Sequence, residues 1–176
     1  MLDCEQGVSQ VDQKLGKWYV DHHKPCILVI NKWDLSEGQT NREEYDVYLD
    51  RRLPGLSHAP RLYVSVAKGE GIERIHGAIE ACWEQMNREF STGQINDVLQ
   101  KAQDQNRPKV KNGTSSKLFY ATQLKKSPPT FLVFGKNTQR ITSNYKRYMS
   151  QFFQKNLDLG HLPIQFVFRN RESGRS

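Results

Sequence analysis

Apolar residues fall along this chain in two rhythms, and each rhythm predicts a different kind of element. Ile27-Leu28-Val29-Ile30 is an unbroken aliphatic run, bounded by Pro25 before it and by Asn31-Lys32-Trp33-Asp34 after it. Such a run predicts a strand over residues 26–30, buried on both faces of a parallel sheet. Met1-Leu2-Asp3 predicts the end of a strand, and residues 61–65 predict a short one. Between these strands the period lengthens to that of a helix. Ser9 offers an N-cap to a helix carrying Val11, Leu15, Trp18 and Tyr19, with Gly16 tolerated inside it at some cost. A second helix reaches about Arg52 with apolar positions at Tyr45, Tyr48 and Leu49, and Pro54-Gly55 ends it. A third runs from Ile72 to about Phe90, with Ile72, Ile75, Ile79, Cys82, Trp83 and Met86 in one stripe read as core. Residues 1–90 thus predict βα units of a parallel sheet.

From Ser91-Thr92-Gly93 onward the order changes. Ile95, Val98, Leu99 and Ala102 predict a short amphipathic helix ending near Pro108, and residues 109–116 a polar loop. Leu118, Tyr120, Thr122 and Leu124 alternate with polar or small residues as an edge or one-sided strand. After the turn Lys125-Lys126-Ser127-Pro128-Pro129, residues 130–134 predict a denser apolar strand. Ile141, Tyr145, Tyr148, Met149 and Phe152 predict one face of a helix closing near Gly160, with both tyrosines read as core rather than as stacking platforms. A final strand spans 163–168, followed by a basic tail over 169–176. Residues 91–176 therefore read α-β-β-α-β, a small α+β module with a three-stranded sheet.

Charge separates the same two regions. The 176 residues carry a net +7. Residues 1–90 hold 11 Lys and Arg against 15 Asp and Glu, a balance of −4; residues 91–176 hold the other 15 against 4, a balance of +11. A small domain at +11 points to a polyanion, with RNA the leading candidate. A mean hydropathy of −0.75 and the lack of any apolar run near the ~20 residues of a spanning helix point away from the membrane. No signal peptide is apparent at the N-terminus, and Cys4, Cys26 and Cys82 have no metal-ligand spacing, so ordinary thiols and a cytoplasmic setting are expected. Asn112-Gly113-Thr114 is taken as a loop.

Candidate chemistry lies where the aliphatic strand ends. Ligands of open α/β sheets bind beyond the carboxyl ends of the strands, and Asn31, Lys32 and Asp34 stand there. A carboxylate accepts from both the ring N–H and the exocyclic amine of guanine, a donor pair that adenine lacks. Each hydrogen bond to the charged group contributes about 1.5–3 kcal/mol, and the wrong base would leave that carboxylate unpaired. The Lys32 stem can lie along the base, and the Asn31 amide can reach the purine edge or brace a neighbouring loop. A second loop, Ser65-Val66-Ala67-Lys68, predicts backbone N–H groups for the purine O6 at the same edge.

These motifs carry a resemblance. Gln6-Gly7-Val8-Ser9-Gln10-Val11-Asp12-Gln13, then Lys24-Pro25-Cys26 through Asn31-Lys32-Trp33-Asp34-Leu35, resemble the second GTPase domain of the EngA/Der family. Residues 91–176 resemble that family's KH-like domain across their length, most closely at Pro128-Pro129-Thr130-Phe131, Ser143-Asn144-Tyr145-Lys146-Arg147-Tyr148 and Pro163-Ile164. The resemblance implies a partial P-loop-GTPase-type parallel sheet over 1–90, then a basic KH-like domain over 91–176. It implies guanine recognition of GTP or GDP by Asn31, Lys32, Asp34, Ser65, Val66, Ala67 and Lys68. The family usually has Ala at the position of Val66; the backbone donor survives that change. The family's members, with two G domains in tandem, assist assembly of the large ribosomal subunit, so that subunit and its RNA are the implied partners.

What such a GTPase needs for its phosphates does not occur in these 176 residues. There is no G-x-x-x-x-G-K-[ST], and no switch segment. Asp3 lies in Asp3-Cys4-Glu5-Gln6-Gly7, which resembles a later loop of the family, and is not assigned to metal. Mg²⁺ is expected only in a full-length parent containing the N-terminal part, and this polypeptide alone is expected not to hydrolyse GTP. The KH-like region has no G-x-x-G loop, the usual RNA clamp, and the family's domain lacks it too. RNA contact is therefore expected through phosphates, from Lys125, Lys126, Lys146, Arg147, Arg169 and Arg171. Three readings stay open: the C-terminal portion of a GTP-binding ribosome-assembly GTPase; a non-catalytic RNA- or ribosome-binding module with a vestigial G-domain half; and a basic domain docking on an acidic protein or G domain. An open sheet edge also predicts marginal stability for residues 1–90 alone.

Overall fold

A computed structural model describes residues 1–36, 40–108 and 116–171. The chain forms two units, Met1–Glu84 and Gln85–Ser176, dividing within one helix.

The first unit holds three parallel strands in the order β1-β2-β3: β1 (Leu2–Asp3), β2 (Leu28–Asn31) and β3 (Arg61–Tyr63). Helix α1 (Gln10–Asp21) connects β1 to β2 and α2 (Arg42–Arg52) connects β2 to β3. Both helices start on reciprocal caps. Ser9 accepts from the Asp12 N–H while the Asp12 carboxylate accepts from that of Ser9, and Asn41 and Glu44 do the same for α2. Helix α3 (Glu73–Asn87) follows β3. The core is Leu2, Val8, Ile30, Tyr45, Leu49, Leu53, Leu56 and Ala59. Gly16 sits there for a packing reason, since a Cβ would lie 3.0 Å from Leu53 Cδ2 and 3.4 Å from Leu56 Cδ1. Arg61 ties β3 to α2, donating to the Asp46 carbonyl at 3.1 Å and pairing with Asp46 and Asp50.

Two expectations for this unit need correction. Of β2, only Ile30 is fully buried; Leu28, Val29 and Asn31 are half-buried. β1 pairs with β2 only at Leu2↔Ile30 and Asp3↔Asn31, so Leu28 and Val29 have a strand neighbour on the β3 side alone. The α3 stripe is not a core stripe either. Cys82 is buried, whereas Ile72, Ile79 and Trp83 are 40%, 52% and 65% exposed. Helical periodicity placed these residues on one face, but three short strands offer too little surface to cover that face.

The second unit runs α4 (Thr92–Gln105), β4 (Lys117–Lys125), β5 (Thr130–Lys136), α5 (Ser143–Asn156) and β6 (Gln165–Asn170), the expected α-β-β-α-β order. Its sheet is β4-β5-β6, antiparallel between β4 and β5 and parallel between β5 and β6. Ser91 caps α4, accepting from the Gln94 N–H. Ile95, Val98, Leu99 and Ala102 of α4, Phe131 and Val133 of β5, and Tyr145, Met149 and Phe153 of α5 are buried. Phe153 is central, edge-on to Phe131 at 5.2 Å and to Phe166 at 5.0 Å. Tyr145 is core as expected, its hydroxyl buried without a hydrogen-bond partner among the described residues. The Tyr148 hydroxyl donates to the Ala102 carbonyl at 2.9 Å.

β4 is an edge strand of its sheet, as one of the two readings had it, while the one-sided alternation is corrected. Register shifts between Leu118 and Tyr120, and between Gln123 and Lys125, mark bulges. Leu118 is buried, but Tyr120 and Thr122 are half-buried and Leu124 is 51% exposed. A bulge inserts one residue and reverses the alternation. The expected loop at 109–116 lies outside the described residues except for Ser116, and the end of the basic tail, 172–176, lies outside them too.

Candidate functional site

The carboxyl edge of the first sheet is built by two loops. The Ile30 carbonyl accepts from the Val64 N–H at 2.9 Å, and the Val64 carbonyl from the Trp33 N–H at 3.0 Å, so the pairing of β2 with β3 continues past both strand ends. Asn31 closes β2. Lys32 then turns the chain with φ +61°, in the left-handed region that side-chain-bearing residues rarely occupy. Residues Trp33–Ser36 form a single 3₁₀ turn, tied by the Ser36 Oγ donating to the Trp33 carbonyl at 2.6 Å. Trp33 packs on Tyr63 at 4.3 Å and on Tyr45 at 5.4 Å, which anchors the turn to the core.

The second loop is closed on itself. Ser65 and Glu70 exchange backbone hydrogen bonds at 3.0 Å, and the Ser65 Oγ accepts from the Lys68 N–H at 3.2 Å. Gly71 leaves this loop with φ +75°, and a Cβ there would stand 2.7 Å from the Tyr63 carbonyl, so the turn requires glycine. Ser65 is buried, while Val66, Ala67 and Lys68 are exposed.

One hydrogen bond joins the loops: the Val66 N–H donates to the Asn31 Oδ1 at 3.1 Å. Asn31 therefore braces the neighbouring loop. Among the described residues the Asp34 carboxylate has no hydrogen bond or ion pair, and neither does the Ala67 N–H. Lys32 is held differently from expectation. Its Nζ pairs with Asp3 at 2.8 Å and Glu5 at 3.6 Å, across the β1–β2 edge. The hydrogen bond from Lys32 holds the Asp3 carboxyl below its ordinary value, and the same bond pushes the Lys32 ammonium up. The Cys4 thiol donates to the Lys32 carbonyl at 2.8 Å. These partners escaped the sequence reading because strand pairing, not sequence distance, brings residues 3–5 beside residue 32.

The basic candidates lie on separate elements. Lys125 and Lys126 are exposed at the β4–β5 turn, and Lys126 is paired with Glu89 at 2.5 Å, a contact that lowers the Glu89 carboxyl. Lys146 and Arg147 are exposed on α5, with the Lys146 Nζ 5.5 Å over the Phe168 ring. Arg169 and Arg171 are exposed on and just after β6. Among the described residues, no group of His, Cys, Asp and Glu could hold a metal ion, and no helix is long and apolar enough to cross a membrane.

Comparison with known proteins agrees with both units. Residues 89–169 match the model of a family described as the KH-domain-like of EngA bacterial GTPase enzymes, C-terminal. GTPase Der of Ruminiclostridium cellulolyticum is 34% identical over 173 residues, which cover 98% of this chain and 39% of that protein. GTPase Der of Acetivibrio thermocellus is 32% identical over the same shares, and that of Rhodopirellula baltica 31% identical over 97% of this chain and 37% of its own length. The chain belongs to the EngA/Der family. It spans about two fifths of the length of the curated relatives it matches and corresponds to their C-terminal part. Both the parallel three-stranded unit and the KH-like unit lie within the stretch shared with these GTPases.

Proposed function

We propose that residues 1–90 are the guanine-recognising half of a GTPase domain and residues 91–176 a basic KH-like RNA-binding domain. In this reading they serve a longer cytoplasmic GTPase that acts on the large ribosomal subunit and its RNA. The observation carrying the first part is the Asn31–Val66 bond, which joins two loops beside an unpaired Asp34 carboxylate. The donor set fits guanine. Asp34 would accept from the ring N–H and the exocyclic amine. With the Val66 N–H spent on Asn31 and that of Lys68 on Ser65, the Ala67 N–H remains for the purine O6. The Lys32 stem would lie along the base while Asp3 and Glu5 fix its ammonium. GTP or GDP would thus be recognised here by its base. Phosphate chemistry with Mg²⁺ would rest on segments that these 176 residues do not contain, since they include no G-x-x-x-x-G-K-[ST].

The test is a titration of this chain with GMP and with AMP, read by amide NMR. Shifts at Asn31, Ala67 and Lys68 with GMP alone are expected, and equal responses to both nucleotides would overturn the base assignment. Appreciable GTP turnover by this chain would overturn the division between base and phosphate machinery.

A second reading, a non-catalytic RNA- or ribosome-binding module, is favoured by the +11 balance of residues 91–176. Lys125, Lys146, Arg147, Arg169 and Arg171 are its phosphate contacts, and Lys126 must first leave Glu89. Affinity for ribosomal RNA should fall steeply with salt as counterions are released. A flat salt response would sink RNA binding in either reading.

A further inference from the structure

Among the described residues, the outer face of the β4-β5-β6 sheet combines aromatic rings and cations without any acid. β5 alternates cleanly: Phe131, Val133 and Gly135 are buried on the helix side, while Leu132 and Phe134 on the other face are half-buried and Lys136 is exposed. The register sets Tyr120 beside Phe134, and Phe134 beside Arg169. That neighbourhood depends on the β4 bulge. Leu118 pairs with Gly135 and Tyr120 with Phe134, so Phe119 is the inserted residue, 43% exposed, and Tyr120 is turned to the outer face. The Tyr120 and Phe134 rings stack nearly parallel, with centroids 4.7 Å apart and planes at 18°. The Arg171 guanidinium lies 5.7 Å over the Tyr120 ring, placed by its backbone N–H donating to the Gly135 carbonyl at 2.9 Å.

β4, β5 and β6 contain no Asp or Glu, while Lys117, Lys136 and Arg169 share this face with the rings. Among the described residues none of those cations, nor Arg171, forms an ion pair. An apolar protein partner would have no need of four unpaired cations around the rings, and an acidic peptide no need of the ring stack. A single strand of nucleic acid uses both. Its phosphates meet the cations, and its bases stack on aromatic rings or on a guanidinium plane. A duplex keeps its bases stacked inside and cannot use the rings.

We propose that this sheet face, centred on Tyr120, Phe134 and Arg171, is a base-stacking surface for single-stranded RNA. It rests on the RNA-binding reading above but adds a mode of contact beyond phosphate attraction, on the rings of Tyr120 and Phe134, which that reading does not use. The test measures binding of the full chain to a fluorescent oligouridylate and to a duplex RNA of equal length across a salt series. Tyr120→Leu/Phe134→Leu keeps apolar volume and removes the rings. It is expected to weaken single-strand binding about tenfold or more, with an unchanged salt slope and little effect on the duplex. Arg171→Gln, a change at an exposed side chain, provides a second readout should the double variant fail to melt as the parent does. It is expected to weaken single-strand binding more than duplex binding and to lower the salt slope by about 1.

Wild-type binding unaffected by either variant, or reduced equally for strand and duplex, would overturn the stacking surface and leave phosphate-directed binding standing. No binding of the wild type to either RNA would overturn both readings. Concentration-dependent self-association abolished by the leucine pair would assign the face to protein instead and overturn the proposal.

Discussion

Each unit has three strands, yet they finish their cores very differently. Among the described residues, nine of the twelve largest fully buried side chains lie in residues 85–176, and Ile30, Leu49 and Val64 in residues 1–84. Among the described residues, the exposed large hydrophobics divide the other way: ten in the first unit, and Phe119 and Leu124 in the second. The sheets explain this contrast. A parallel sheet needs cover on both faces, and strands of two, four and three residues give its helices little to pack on. A mixed sheet with strands of nine, seven and six residues closes a core on one face and leaves the other for contact. The first unit therefore offers its candidate site at a strand edge, and the second its candidate contacts on a helix and a sheet face.

The strongest way to break this comparison is to truncate the second core. Phe131→Ala should cost about 3–5 kcal/mol, as loss of a buried phenyl ring does. A thermal melt should show the loss confined to the transition of residues 85–176, and a parallel fall in both transitions would show the units to be one cooperative body. Next is Asp34→Asn, which removes the charged acceptor. It should lower affinity for GMP by about 1.5–3 kcal/mol while leaving the melt unchanged. Calorimetric titration reads the first and circular dichroism the second. Asn31→Ala should cost about 0.5–1.5 kcal/mol through the lost Val66 bond. Hydrogen exchange at the Val66 amide should rise, and unchanged protection there would mean that the loops are not joined by that bond.

Alkali should distinguish the units more gently. Burial raises the Cys26 thiol from its ordinary 9.0 to about 11. The unfolded thiol ionises first, so the first unit should lose stability as pH rises from 9 to about 11, the unfolded state binding fewer protons across that window. Cys26→Ala should flatten this loss in a denaturant series, and an unchanged slope would assign it to other groups, such as Tyr45, which burial pushes up to about 12. The smallest effect is expected at the exposed faces. Leu15→Ala and Ile79→Ala should each change stability by no more than about 0.5 kcal/mol. A loss of several times that size would show those faces to be covered in solution.

Much of the local structure was legible in the residues. Ser9 announces a helix start because a side-chain acceptor three residues before a free N–H is a local device; Asn41 and Ser91 use the same device and went unread. The run from Ile27 to Ile30 gave a strand for the same reason: apolar order along the chain is sufficient to read it. Burial was less legible. Trp83 and Ile79 keep perfect helical spacing yet stand exposed, because burial depends on whether another element reaches that face. The candidate site was legible as a set of residue types and not in its bonds. Nothing near Asn31 in sequence says that its amide binds Val66 rather than a purine, or that Asp3 and Glu5 hold Lys32.

The sequence by itself determined the alternation of elements, the two charge regimes and the polar loops beyond β2 and β3, since propensity, period and charge are properties of neighbouring residues. Only the tertiary structure decided which donors those loops have left. It alone decided, too, that one bulge at Phe119 turns Tyr120 to lie against Phe134. Both outcomes follow from strand register, and register is settled between strands distant in sequence, where a shift of one residue sends every side chain to the opposite face.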